Sequence, residues 1–176
     1  MGGMSSKTLT DLIIAPGAYV TVATVDMGAL VETIEVNVSM ERYFPDLYGA
    51  KGNIKGTGHI NRAICQVTFR MAEWEYAKFV TIWNQIGTST DANSEKVGDG
   101  TLGKIADADY AAVVILGFTL HDDKPVQVEL DNAFLANDPS FSLSDREDSF
   151  IEVTMESAYL VTAPTTAPFN IQMDKG

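Results

Sequence analysis

The strongest constraint on this chain is a two-residue alternation that recurs along its length. Between Glu32 and Glu41, Ile34, Val36, Val38 and Met40 alternate with Thr33, Glu35, Asn37, Ser39 and Glu41. Side chains of a strand point to opposite faces in turn, so this pattern defines a strand with one buried and one wet face. The same period returns at Val126, Val128 and Leu130, and again at Ile151, Val153 and Met155 with Glu152, Thr154 and Glu156 opposite them. Ala18–Val25 is β-branched and reads as an earlier strand. Lys55–Arg70 is long and β-prone, with Ala63, Cys65, Val67 and Phe69 on one side and Arg62, Gln66, Thr68 and Arg70 on the other. On that polar side, Ile60 and Ile64 suggest partial covering. Tyr110–Leu120 is nearly all apolar, as expected of a central strand covered on both faces.

One segment has a different period. Tyr76, Phe79, Val80, Trp83 and Ile86 fall at helical spacing, which predicts a helix over about 73–86. Glu73 and Glu75 suit its N-terminal dipole and Gly87 its stop. The aromatic stripe reads as core packing against a sheet. Residues 88–109 are rich in Ser, Thr, Asp, Asn and Gly and read as a long mobile loop. Residues 1–17 form an N-terminal arm, 18–162 the β domain and 163–176 a C-terminal tail in which Pro164 and Pro168 end the regular structure. The expected fold is mainly β: two packed antiparallel sheets, sandwich- or barrel-like, with one flanking helix and long loops.

Composition narrows the function. The 176 residues carry 12 Lys+Arg against 24 Asp+Glu, a formal net charge of −12. Nucleic-acid affinity comes largely from neutralising phosphates, and this balance leaves little cation surplus for it. No apolar run reaches the ~18 residues of a membrane-spanning helix, and the first twelve residues show no secretory h-region. The single cysteine, Cys65, falls in a strand and reads as a small buried hydrophobe, with no internal disulfide possible.

Motifs for chemistry fail on context. Gly98-Asp-Gly-Thr-Leu-Gly103-Lys104 matches the glycine fingerprint of dinucleotide sites and most of a phosphate-binding loop. Such loops lead from a strand into a helix N-terminus. Here a strand follows, Ile105 stands where a magnesium-holding hydroxyl belongs, and Asp99 adds negative charge. Asp91-Ala-Asn93-Ser-Glu95 begins like a calcium loop but lacks its turn glycine, and Leu102 replaces the bidentate Glu. His59 and His121 have no second ligand at metal spacing. The acids Asp145, Glu147, Asp148, Glu152 and Glu156 read as solvated carboxylates. No catalytic residue, cofactor site or metal site is expected, and the chain is not expected to be an enzyme.

The loop Glu41-Arg-Tyr-Phe-Pro-Asp-Leu-Tyr-Gly-Ala-Lys-Gly-Asn53 exposes Tyr43, Phe44, Leu47 and Tyr48, a cluster that suggests a partner surface. In the order of its parts the chain resembles the tail tube proteins (major tail proteins) of long-tailed bacteriophages. The parts are the strand with Glu35–Ser39, the run Gly49-Ala-Lys-Gly-Asn-Ile-Lys-Gly56, the strand through Ile64 to Met71 and the helix with Glu75, Phe79 and Trp83. Phe141-Ser-Leu-Ser-Asp-Arg-Glu-Asp, the strand Phe150–Tyr159 and a tail ending Pro168-Phe-Asn-Ile171 complete the series. The likeness covers about Ala18 to Ile171.

The resemblance implies a virion subunit, assembled in the host bacterial cytoplasm, that forms hexameric rings. Their inner strands join into one β-barrel, and the rings stack into the hollow tail tube. Its partners would be further copies of itself, the tape measure protein and the tail terminator, with DNA passing through unbound and no membrane contact. Arg42, Tyr43, Phe44, Leu47, Tyr48 and Lys51 would contact the neighbouring ring. Glu32, Glu35, Glu152 and Glu156 would present an acidic wall that repels the sliding genome. A tube subunit of a contractile tail or secretion-like particle shares these features. A β-sandwich binding module is the reading from another class; its mark would be exposed aromatics around a pocket on a rigid sheet face.

Overall fold

The computed structural model describes residues 18–46, 52–73, 75–83, 85, 87–91, 94–98, 104–118, 125–138 and 150–173, apart from the side chains of Glu32, Thr88, Thr90, Glu95, Val97 and Phe118. Ten strands appear: β1 (Tyr19–Val22), β2 (Val25–Asp26), β3 (Leu30–Tyr43), β4 (His59–Met71), β5 (Thr88–Thr90), β6 (Glu95–Val97), β7 (Ala111–Phe118), β8 (Pro125–Leu135), β9 (Ile151–Ser157) and β10 (Phe169–Met173). One helix, α1 (Tyr76–Ile82), lies between β4 and β5. All pairings are antiparallel. Eight strands form one sheet in the order β2-β1-β7-β8-β9-β4-β3, with β10 paired to β8.

Strand β8 explains how one sheet encloses a core. Val113 pairs with Leu130 but Ala111 pairs with Ala133, so β8 carries one extra residue, Asp131 and Asn132 together standing opposite Ala112. Such a bulge bends a strand and shifts the side-chain phase. The buried set accordingly runs Val126, Val128, Leu130 and then Ala133. Partners change at the same point: β10 pairs with Val126–Leu130, and β9 pairs with Ala133–Leu135. The sheet divides there into two wings, β2-β1-β7-β8-β10 and β9-β4-β3, which curl over one core as a half-barrel. The expected mainly β, antiparallel fold with a single helix is what forms, and its two packed layers are wings of one continuous sheet.

The core joins Val20, Val22, Val113, Ile115, Val128 and Leu130 of the first wing to Cys65, Val67, Phe69, Met71, Val153 and Met155 of the second. Of these, Cys65, Val67, Phe69, Val128, Leu130, Val153 and Met155 are the inward residues that period two predicts. Strand β7 is covered on one face only, because Ala112 is exposed and Val114 and Leu116 are half-buried. The expectation of cover on both faces is thus corrected.

Helix α1 is shorter than its stripe suggested. Glu75 is extended at its start (φ −111, ψ 135) and Trp83 leaves helical geometry at its end. Ile82 is the fully buried anchor, while Phe79 and Trp83 stack at 4.8 Å and pack against the core margin. Within 88–109 the chain forms the β5–β6 hairpin. Asp91 shapes its turn by accepting hydrogen bonds from the Ser94 backbone N–H (2.8 Å) and Oγ (2.9 Å) and pairing with Lys96 at 3.1 Å. The carboxylate that begins the calcium-like run is therefore occupied in a turn. Proline does not end the regular structure either. Pro168 precedes β10, where its missing N–H removes no bond from that strand's own ladder.

Candidate functional site: an open sheet edge and its apolar tip

Strand β3 pairs with β4 along one side and ends the sheet order on the other. Its 14 residues therefore present a row of backbone donors and acceptors with no strand partner among the described residues. Such an edge is a template for another strand, and proteins that do not use it shorten, twist or cover it. Here the edge is long, with register shifts between Val31 and Glu35 and between Glu41 and Arg42.

Beyond the second shift the strand ends in an apolar tip. Tyr43 is 54% exposed and Ile60, next to its partner His59, is 62% exposed. Phe44 packs close to Gly58, where an added Cβ would meet its ring at 2.5 Å. Ile54 is also exposed, in a turn closed by the Thr57 hydroxyl donating to its carbonyl (2.8 Å). Of the proposed contact residues, Arg42, Tyr43 and Phe44 are brought together here. Leu47, Tyr48 and Lys51 lie outside the described residues. Ile60, read as partly covered, belongs to the exposed tip.

The wet face of β3, β4 and β9 is ordered by cross-strand pairs. Register places Asn37, Gln66 and Glu156 in one row and Glu35, Thr68 and Thr154 in the next. Gln66 donates to Glu156 at 2.7 Å, the two threonine hydroxyls meet at 3.0 Å, and Arg70 Nε donates to Glu152 at 2.9 Å. Arg62 stands 3.7 Å from Glu156, and the Arg70 guanidinium lies over the Phe150 ring. Glu152 and Glu156 are thus held by partners on β4, so this part of the face carries compensated charge. Glu35 is exposed; the Glu32 side chain lies outside the described set.

Where β9 leaves β4, hydroxyls replace the ladder. Ser157 Oγ accepts from the Cys65 N–H (2.9 Å), and the Tyr159 hydroxyl bridges both backbone groups of Ala63 at 2.7 Å each. Cys65 is fully buried, and desolvation raises its thiol to about 11, which leaves it protonated and unreactive at neutral pH.

Sequence reasoning missed a polar clasp at the base of β3. Lys78, 5% exposed, pairs with Glu73 and lies 3.5 Å from Glu75. Glu73 also accepts from the Ala29 N–H at 3.2 Å. The Lys78 bond and then the Ala29 bond lower the Glu73 pKa, and the Glu73 bond raises that of Lys78. A lysine on a helix otherwise reads as solvated, so no local signal marks it.

No group of three or more potential metal ligands occurs among the described residues. His59 is exposed on β4; His121, Asp99–Gly103, Asp145, Glu147 and Asp148 lie outside the described residues. No described helix is long and apolar enough to cross a membrane.

No protein-family model matches the chain, and no curated protein matches it. Among solved structures it is similar to the anti-feeding prophage cap (the AFP tube terminating cap), at TM-score 0.49 and 13% identity, over 89% of this chain and 88% of that one. It is also similar to Hcp1 from Flavobacterium johnsoniae, at TM-score 0.41 and 12% identity, over 90% of this chain and 95% of that one.

Proposed function

We propose that this chain is a structural, non-enzymatic subunit that self-assembles into the stacked hexameric rings of a bacteriophage tail tube, the conduit for genomic DNA. The observation that carries the reading is the open edge of β3. With no second strand partner among the described residues, an edge of this length offers backbone groups that pairing with a further copy satisfies. The apolar tip at Tyr43, Phe44, Ile54 and Ile60 supplies a second contact surface, directed off the end of the β3–β4 hairpin and suited to the next ring. The paired ladder of β4 and β9 would suit a wall past which a polyanion slides, since its cations are already engaged by carboxylates and the chain is acidic overall.

Negative-stain electron microscopy of the purified chain, with size-exclusion chromatography over a concentration series, tests this. Rings or hollow tubes are expected. A species that stays monomeric at every concentration, and when seeded with preformed tail particles, would defeat the proposal.

A further inference from the structure

Two strands with only one strand partner among the described residues, β3 beside β4 and β10 beside β8, carry the core's apolar face beyond the core. On β3, Ile34, Val36 and Val38 pack against the buried cluster; Met40 continues the same face and is 41% exposed. On β10, Phe169 packs against the cluster; Ile171 and Met173 share its face by the strand period and are 41% and 65% exposed. Among the described residues β10 pairs with β8 alone, so its outer backbone edge is open as well. Among the described residues, each of these two edges therefore has no second strand partner and carries exposed apolar side chains.

Charge bears on which edge meets which in the register that superposes the two apolar rows. If two β3 edges paired antiparallel about Val38, Glu35 of each copy would face Glu41 of the other on one face. Like charges directly opposite destabilise a strand pair. Phe169-Asn-Ile-Gln-Met173 has no charged residue and meets no such penalty. The two edges also differ in sequence and position, so their union is heterologous. Every copy then keeps one edge of each kind for the next, as a ring requires.

From these features we infer that β10 of one copy adds to the β3 edge of its neighbour, placing Ile171 and Met173 over the uncovered end of the neighbour's core at Met40. The inference rests on the self-assembly reading and names its contact. Cys65 is buried and the chain has no other cysteine, so introduced pairs report cleanly. In Met40→Cys/Ile171→Cys, oxidation of assembled material should give a ladder of covalent oligomers on a non-reducing gel, absent from either single variant. In a second variant, Ile171→Lys/Met173→Lys, assembly should be lost while the circular dichroism spectrum is retained, because both side chains are exposed in the monomer. Assembled double-cysteine protein that stays a monomer band would overturn the edge assignment, as would normal assembly of the lysine variant. Failure of the unmodified chain to assemble would instead overturn the self-assembly reading beneath it.

Discussion

Gly28 concentrates the geometry at the base of the open strand, and replacing it with alanine tests whether that base is built as described. Its φ is +75, in the left-handed region, and its N–H donates to the Asp26 carboxylate at 2.9 Å. For an L-residue with a Cβ this region costs about 1–2 kcal/mol. The added Cβ would also fall within the Glu73–Lys78 pair, 2.7 Å from the Glu73 carboxyl carbon. One of the two side chains must then move, which parts the buried Lys78 ammonium from Glu73 and leaves it Glu75, 3.5 Å away.

The backbone cost alone should lower the melting temperature of Gly28→Ala by about 2–8 °C, since 1 kcal/mol is worth about 2–4 °C in a chain of this size. The displaced pair adds to that. The discriminating assay is differential scanning calorimetry of Gly28→Ala, Lys78→Met and the double variant. Lys78→Met removes the ammonium that the new methyl group strikes, so Gly28→Ala should cost less in that background than in the wild type. An equal cost in both would refute the steric account, and a Gly28→Ala protein as stable as wild type would refute the backbone account as well.

Three further outcomes follow from the same physics. Ala23 and Thr24 form the two-residue turn between β1 and β2 with φ of 48 and 71, so Asn-Gly in their place should raise the melting temperature by a few degrees; no gain would count against strain in that turn. Cys65 should be inert to a thiol reagent at neutral pH in the native protein and titrate as one thiol in denaturant, whereas rapid native reaction would contradict its burial. The Glu73 pKa is depressed on folding, so its stabilisation is complete above the ordinary carboxylate range and is lost as pH falls through the folded value. The melting-temperature gap between wild type and Glu73→Gln should therefore close in acid; a gap that persists unchanged in strong acid would contradict the linkage.

The inward residues of β3, β4, β8 and β9 were legible in the sequence because period two is a local rule, applied residue by residue without knowledge of partners. The same rule separated the wet face carrying Glu35, Gln66, Glu152 and Glu156 from the core. What this face does electrostatically was not legible. Glu152 and Glu156 look like free carboxylates until register sets Arg70, Gln66 and Arg62 beside them across some 90 residues of chain. Strand β10 escaped for a related reason, because a short stretch after two prolines is held mainly by the edge of β8. The buried Lys78 depends on Glu73 and the Ala29 amide converging over a glycine. Local pattern thus determined which residues form strands and which face turns inward. Only the tertiary structure decided where the sheet bends, which charges are already answered and which edges stay open, since each depends on groups far apart in sequence.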